Sequence, residues 1–113
     1  MEIKITDQEG ATIVELNGSL DGNTVTEVQD KIMPLLSGKV SLVLDLTQCT
    51  YISSAGLRLL LMIAKQLSTQ FGALGLSGIS DEIKDVMEMT GFSNFFKTFG
   101  TVAEALEAAG REA

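Results

Sequence analysis

The sequence predicts an α/β sandwich: a mixed sheet of four to five strands with about four helices packed on it. Three observations carry this. Short β-type runs take turns with segments of helical period, in the order β-β-α-β-α-β-α-(β)-α. The run Val40, Leu42, Val43, Leu44, Leu46 is almost continuously apolar, as in a central strand covered on both faces. Strand–helix alternation then demands crossovers, hence parallel pairing after the first hairpin. With 113 residues the chain fits a single domain, 1–113, without a linker or repeat.

Each element has a local reason. Ile3 and Ile5 alternate with polar neighbours and predict a first strand. Gln8-Glu9-Gly10 reads as a turn, and Thr12 to Asn17 as a returning strand with Ile13, Val14 and Leu16. Gly18-Ser19-Leu20-Asp21-Gly22 closes that strand. Thr24-Val25-Thr26-Glu27 has the spacing of a capping box, and Val25, Val28, Ile32, Leu35 and Leu36 give the stripe behind it. Pro34, with no N–H to donate, shortens or kinks this helix before the exit at Ser37-Gly38-Lys39.

Residues 47–54 follow the apolar strand as a loop, and a long helix runs from about Ser54 to Gln70. Leu57, Leu60, Leu61, Ala64 and Leu67 fall on its inner face; Arg58, Leu59, Met62, Lys65, Gln66 and Thr69 fall on the outer one. Gly72 to Leu76 predicts another interior strand. Ser80-Asp81-Glu82 caps a helix bearing Ile83, Val86 and Met87, which Gly91 ends. Phe92, Phe95, Phe96 and Phe99 make a core aromatic cluster around a short turn or edge strand. Thr101-Val102-Ala103-Glu104 is a second capping box, starting a helix with Val102, Leu106 and Ala109 inward.

Composition narrows function. A net charge of −7 opposes nucleic-acid phosphates and anionic lipid headgroups, so no nucleic acid is expected and a partner with basic groups is favoured. Met1-Glu2-Ile3-Lys4-Ile5-Thr6 lacks a secretory pattern, and no apolar run approaches the roughly 18 residues of a membrane span. Together with a single cysteine, Cys49, this points to a cytoplasmic chain that does not insert in membranes. Cys49 reads as a quiet loop or core thiol. The absence of histidine removes Ser-His-Asp and Cys-His catalysis and histidine-ligated metal. No phosphate-binding Gly-rich loop with lysine follows a strand. The expectation is a binding protein, not an enzyme, with no cofactor or metal, monomeric when free.

The stretch Asp45-Leu46-Thr47-Gln48-Cys49-Thr50-Tyr51-Ile52-Ser53-Ser54-Ala55-Gly56-Leu57 leads from a buried strand to the long helix. Ser53 and Ser54 stand where helix amides lack partners and the dipole favours negative charge. On physical grounds alone two readings stay open: an ordinary N-cap, or a site where a phosphate is stabilised. Asp21 reads as a turn former or part of a partner surface, and Asp45 as a capping or strand-end acid.

Tyr51-Ile52-Ser53-Ser54-Ala55-Gly56-Leu57-Arg58 resembles the signature of STAS domains of the anti-sigma factor antagonist type. Val43-Leu44-Asp45-Leu46, Gly18-Ser19-Leu20-Asp21 and Met89-Thr90-Gly91-Phe92 resemble further motifs of that family, in the same order along the chain. The resemblance implies the STAS fold. It also implies a protein that sequesters an anti-sigma factor, usually a serine-protein kinase, and so releases a sigma factor. The kinase inactivates such proteins by phosphorylating a serine at the start of the long helix, and a serine phosphatase reverses this. That acceptor falls on Ser54, with Ser53 second, because Ser53 stands where the family commonly has Asp. Asp21, Ser53, Ser54, Gly56, Leu57, Arg58, Leu59 and Met62 are the implied or candidate partner-binding residues. The alternative within the family is a module that is never phosphorylated, serving as a scaffold or ligand sensor in a transporter or stress complex.

Overall fold

The structure is a computed structural model and describes residues 1–8 and 10–112. Leu42, Val43 and Leu44 are each at most 3% exposed, so the strand that carries them, β3 (Ser41–Asp45), is covered on both faces. Around it the chain runs β1 (Glu2–Gln8), β2 (Ala11–Leu20), α1 (Val25–Ile32), β3, β4 (Cys49–Ile52), α2 (Ser54–Thr69), β5 (Ala73–Ser77), α3 (Asp81–Thr90), β6 (Lys97–Phe99) and α4 (Val102–Glu112). Short 3-10 turns occupy Met33–Leu35 and Phe92–Phe95. The strand order is β1-β2-β3-β5-β6, with β4 also paired to β2. β1 and β2 form the antiparallel hairpin, and every other pairing is parallel.

Alternation along the strands divides the core into two layers. Val14, Leu16, Leu42, Leu44, Leu74 and Leu76 pack with α1, α2 and α3 through Val28, Ile32, Leu60, Ile63, Leu67 and Met87. Ala11, Ile13 and Val43, at the intervening positions, pack on α4 through Ala105 and Leu106. Gly75 has no side chain because Phe99 lies there: a Cβ would meet its ring at 3.0 Å.

Among the described residues the sheet has six strands, one more than the upper expectation. The extra strand is β4, in the segment read as a loop. β2 is ten residues long, and β3 pairs with it only from Thr12 to Glu15. The remaining edge at Gly18, Ser19 and Leu20 is filled by Cys49, Tyr51 and Ile52. The register shifts between Gly18 and Ser19, and Gly18 takes a φ of +124°, which favours glycine.

Other expectations meet local competition. The Thr24 capping box does not form. Thr24 Oγ1 instead donates to the Ser19 carbonyl at 2.7 Å and accepts from the Asp21 N–H at 3.0 Å, tying the turn to the end of β2. Pro34 does end α1, which passes at Met33 into a 3-10 turn. Ser80 caps α3 by accepting the Ile83 N–H at 3.2 Å, and Gly91 ends it with φ +79°. Of the apolar residues that α3 carries, Ile83 and Met87 are buried and Val86 is 45% exposed. At α4, Thr101 Oγ1 accepts the Glu104 N–H at 3.2 Å, while Glu104 reaches back to the Gly100 N–H at 3.3 Å.

Phe96 is buried, and Phe92 and Phe99 are half-buried against the two core layers. The Phe95 side chain and Glu9 of the predicted turn lie outside the described residues; Gly10 beside it has φ +82°.

Candidate functional site

The site begins where two parallel strands end together. Leu20 of β2 pairs with Ile52 of β4, and the Ser53 N–H donates to the Leu20 carbonyl at 2.9 Å. The chain then turns directly into α2. Gly56, in the first turn of α2, is pressed onto those strand ends. A Cβ there would lie 2.7 Å from the Leu20 carbonyl oxygen and 2.9 Å from both Ile52 Cγ2 and Leu20 Cγ. The glycine therefore sets how closely the helix N-terminus approaches the sheet.

The two serines are given different work. Ser53 is the N-cap, in extended geometry with φ −83° and ψ 175°, and its Oγ accepts the Gly56 N–H at 3.3 Å. Ser54 is the first helical residue and is exposed. Its hydroxyl has no hydrogen-bond partner among the described residues. The first turn of α2 contains no acid, so the positive end of the helix dipole is not offset from within the helix. Arg58 follows one turn later on the same face, exposed and without an ion pair among the described residues.

Asp21 stands beside these groups as a turn former. Its Oδ1 accepts the Asn23 N–H at 2.9 Å, and its carbonyl accepts from Thr24 at 3.1 Å and Val25 at 2.9 Å. Asp45 is a strand-end acid, whose Oδ1 accepts from the Thr47 N–H at 3.1 Å and hydroxyl at 2.6 Å. Cys49 is a buried thiol in β4; burial pushes it above its usual pKa, against the pull of the Tyr51 and Leu20 backbone hydrogen bonds.

Of the predicted contact residues, Ser54, Arg58 and Met62 are exposed, while Ser53 and Asp21 are half-buried. Gly56, Leu57 and Leu59 are buried and do not form exposed contact surface. Leu59 in particular is 4% exposed and belongs to the main core. The inner face of α2 is carried by Gly56, Leu57, Leu59, Leu60, Ile63 and Leu67, with Leu61 and Ala64 at its rim. Leu59 to Ala64 is apolar at every position, so its pattern leaves the rotation of the helix open.

Sequence reasoning missed Tyr51 and Val86, which are 56% and 45% exposed. They flank a groove between β4 and α3 with Ile52, Leu57, Glu82 and Ile83. The signal for Tyr51 was an aromatic residue two positions before the cap, hidden by reading the segment as a loop. Among the described residues there is no group of three His, Cys, Asp or Glu side chains able to hold a metal. No helix among them is long and apolar enough to cross a membrane.

Fold and site define a small α/β domain that presents an exposed serine beside the N-cap serine at the start of a long helix. The chain belongs to the STAS domain family, whose model matches residues 2–105. It is 33% identical over 110 residues to BtrV of Bordetella bronchiseptica, provisionally named an anti-sigma factor antagonist, across 96% of this chain and 91% of that protein. It is 30% identical over 95 residues to the anti-sigma-B factor antagonist of Staphylococcus aureus strain NCTC 8325, across 83% of this chain and 88% of that one. Its fold is similar to that of the Bacillus cell fate determinant SpoIIAA in the phosphorylated form. There the TM-score is 0.74 at 20% identity, over 95% of this chain and 98% of that chain.

Proposed function

We propose that this chain is an anti-sigma factor antagonist controlled by phosphorylation of Ser54. Unphosphorylated, it sequesters an anti-sigma factor that is a serine-protein kinase, and a sigma factor is thereby released. Phosphorylated, it lets the anti-sigma factor go until a serine phosphatase restores it. It acts in the cytoplasm, by binding and not by turnover.

One observation carries the choice of residue: Ser53 Oγ is engaged with the Gly56 amide, whereas Ser54 is exposed and its hydroxyl has no hydrogen-bond partner among the described residues. A phosphate there adds about −1.5 to −2 charges where helix amides and dipole favour them, so the modified state is stable without refolding. Relatives named as anti-sigma factor antagonists, and a similar fold solved in a phosphorylated form, support the same reading.

The test is to incubate the protein with ATP and a serine-kinase anti-sigma factor from the same genome, then map phosphate by mass spectrometry. The expected product carries one phosphate, on Ser54, and no longer binds the kinase. Phosphate on neither serine defeats the switch; phosphate on Ser53 alone defeats the assignment.

A further inference from the structure

The chain as a whole is acidic, but the exposed face of α2 is not. None of its 15 acids lies between Asp45 and Asp81, while Arg58 and Lys65 both do. On α2, Ser54, Arg58, Met62, Lys65 and Thr69 succeed one another at steps of three or four, so they line one stripe. All five are exposed. Neither cation has an ion pair or hydrogen bond among the described residues. The grooves along the stripe are lined by Val25 and Gln29 of α1 on one side and by Asn94 on the other, with no carboxylate in either. The acids of α1, Glu27 and Asp30, lie about 100° or more around that helix from Gln29. Between the cations stand apolar surfaces: Met62, 37% exposed, and the half-buried Leu61.

We infer that this stripe is the docking face for a carboxylate-rich patch of the anti-sigma factor, set around an apolar ridge that packs on Met62. The inference rests on the proposed function and specifies the chemistry of its partner. It reverses what net charge suggests, because screening over about 8–10 Å lets the local face, not the distant acids, govern a contact. It also supplies the sign of the switch. A phosphate on Ser54 places negative charge at the head of the stripe, facing the partner's carboxylates, and draws off Arg58 one turn away. Both effects weaken the complex.

The test measures binding of a serine-kinase anti-sigma factor from the same genome to the wild type and to Arg58→Glu, Lys65→Glu and Lys84→Glu, in low and high salt. Lys84 is an exposed cation on α3, off the stripe, and serves as the control. Reversal at Arg58 or Lys65 is expected to weaken binding about tenfold or more at low salt, with the gap closing at high salt, while the control stays within about threefold. Unchanged melting temperatures show that the variants are folded. A wild-type complex that ignores both stripe reversals, or tightens with them, overturns this inference and leaves the functional proposal standing. No wild-type complex with any such kinase overturns the proposal, and the docking face with it.

Discussion

Gly56 lies so close to Leu20 that a single added Cβ would stand 2.7 Å from the Leu20 carbonyl oxygen. That oxygen also receives the Ser53 N–H at 2.9 Å, so it cannot retreat without breaking the link between β2 and the start of α2. The approach brings Ser53, Ser54 and the strand ends into one tightly packed corner.

Gly56→Ala should therefore destabilise the fold by about 1–3 kcal/mol, the range of overpacking at a tight contact. For a domain of this size that lowers the melting temperature by roughly 4–8 °C per kcal/mol. A melt within 1 °C of wild type would show that the helix can shift freely.

Ser53→Ala and Ser54→Ala should separate stability from signalling. Loss of the Ser53 cap costs about 1 kcal/mol but leaves Ser54 open to phosphorylation. Ser54→Ala should change stability by no more than about 0.5 kcal/mol and remove the phosphate. Denaturant melts paired with phosphate mapping check both, and equal melts for the two variants would contradict the division of work between the serines.

Ser54→Asp should stabilise the free protein slightly, by about 0.3–1 kcal/mol, because a carboxylate sits well in the first turn of a helix. The same variant should bind the anti-sigma kinase at least tenfold more weakly than Ser54→Ala. The stability gain should shrink in high salt. An aspartate variant that melts below the alanine variant at low salt would rule out a favourable anion position.

Cys49 provides a pH prediction. Its folded pKa is raised above the unfolded value, chiefly by burial. The folded state therefore favours the neutral thiol. The contribution is fully present below the unfolded pKa and fades as pH climbs through and above the usual thiol range near 8.5. Between pH 8 and pH 10 the wild type should lose more stability than Cys49→Ala. Alkylation of the native chain should also be slow until it unfolds. Parallel pH slopes would show that the thiol titrates as if exposed.

Some features were legible because they are local. Ser80 and Gly91 bracket α3 as their chemistry requires, and Pro34 stops α1. Thr24 shows the limit of that logic. Its spacing to Glu27 fits a capping box, but its hydroxyl finds Ser19 and Asp21, which lie before the helix and tie the turn to β2.

By itself the sequence determined the layering and singled out the start of the long helix as the candidate site. Alternating runs specified a mixed sheet with parallel pairing after the first hairpin, the nearly continuous apolar run from Val40 to Leu46 its centre, and the ordered motifs around Ser53-Ser54 the family. Tertiary structure decided β4, which exists only because β2 outlasts β3 and leaves an edge to pair. It decided the rotation of α2, burying Leu59 and exposing Met62, because an all-apolar turn takes its orientation from the sheet beneath it. It decided which serine caps and which is exposed. It also gathered Arg58 and Lys65 on one face of a helix that carries no acid of its own. Pairing, rotation and local charge arise from residues far apart in the chain, and no short window of sequence contains both partners.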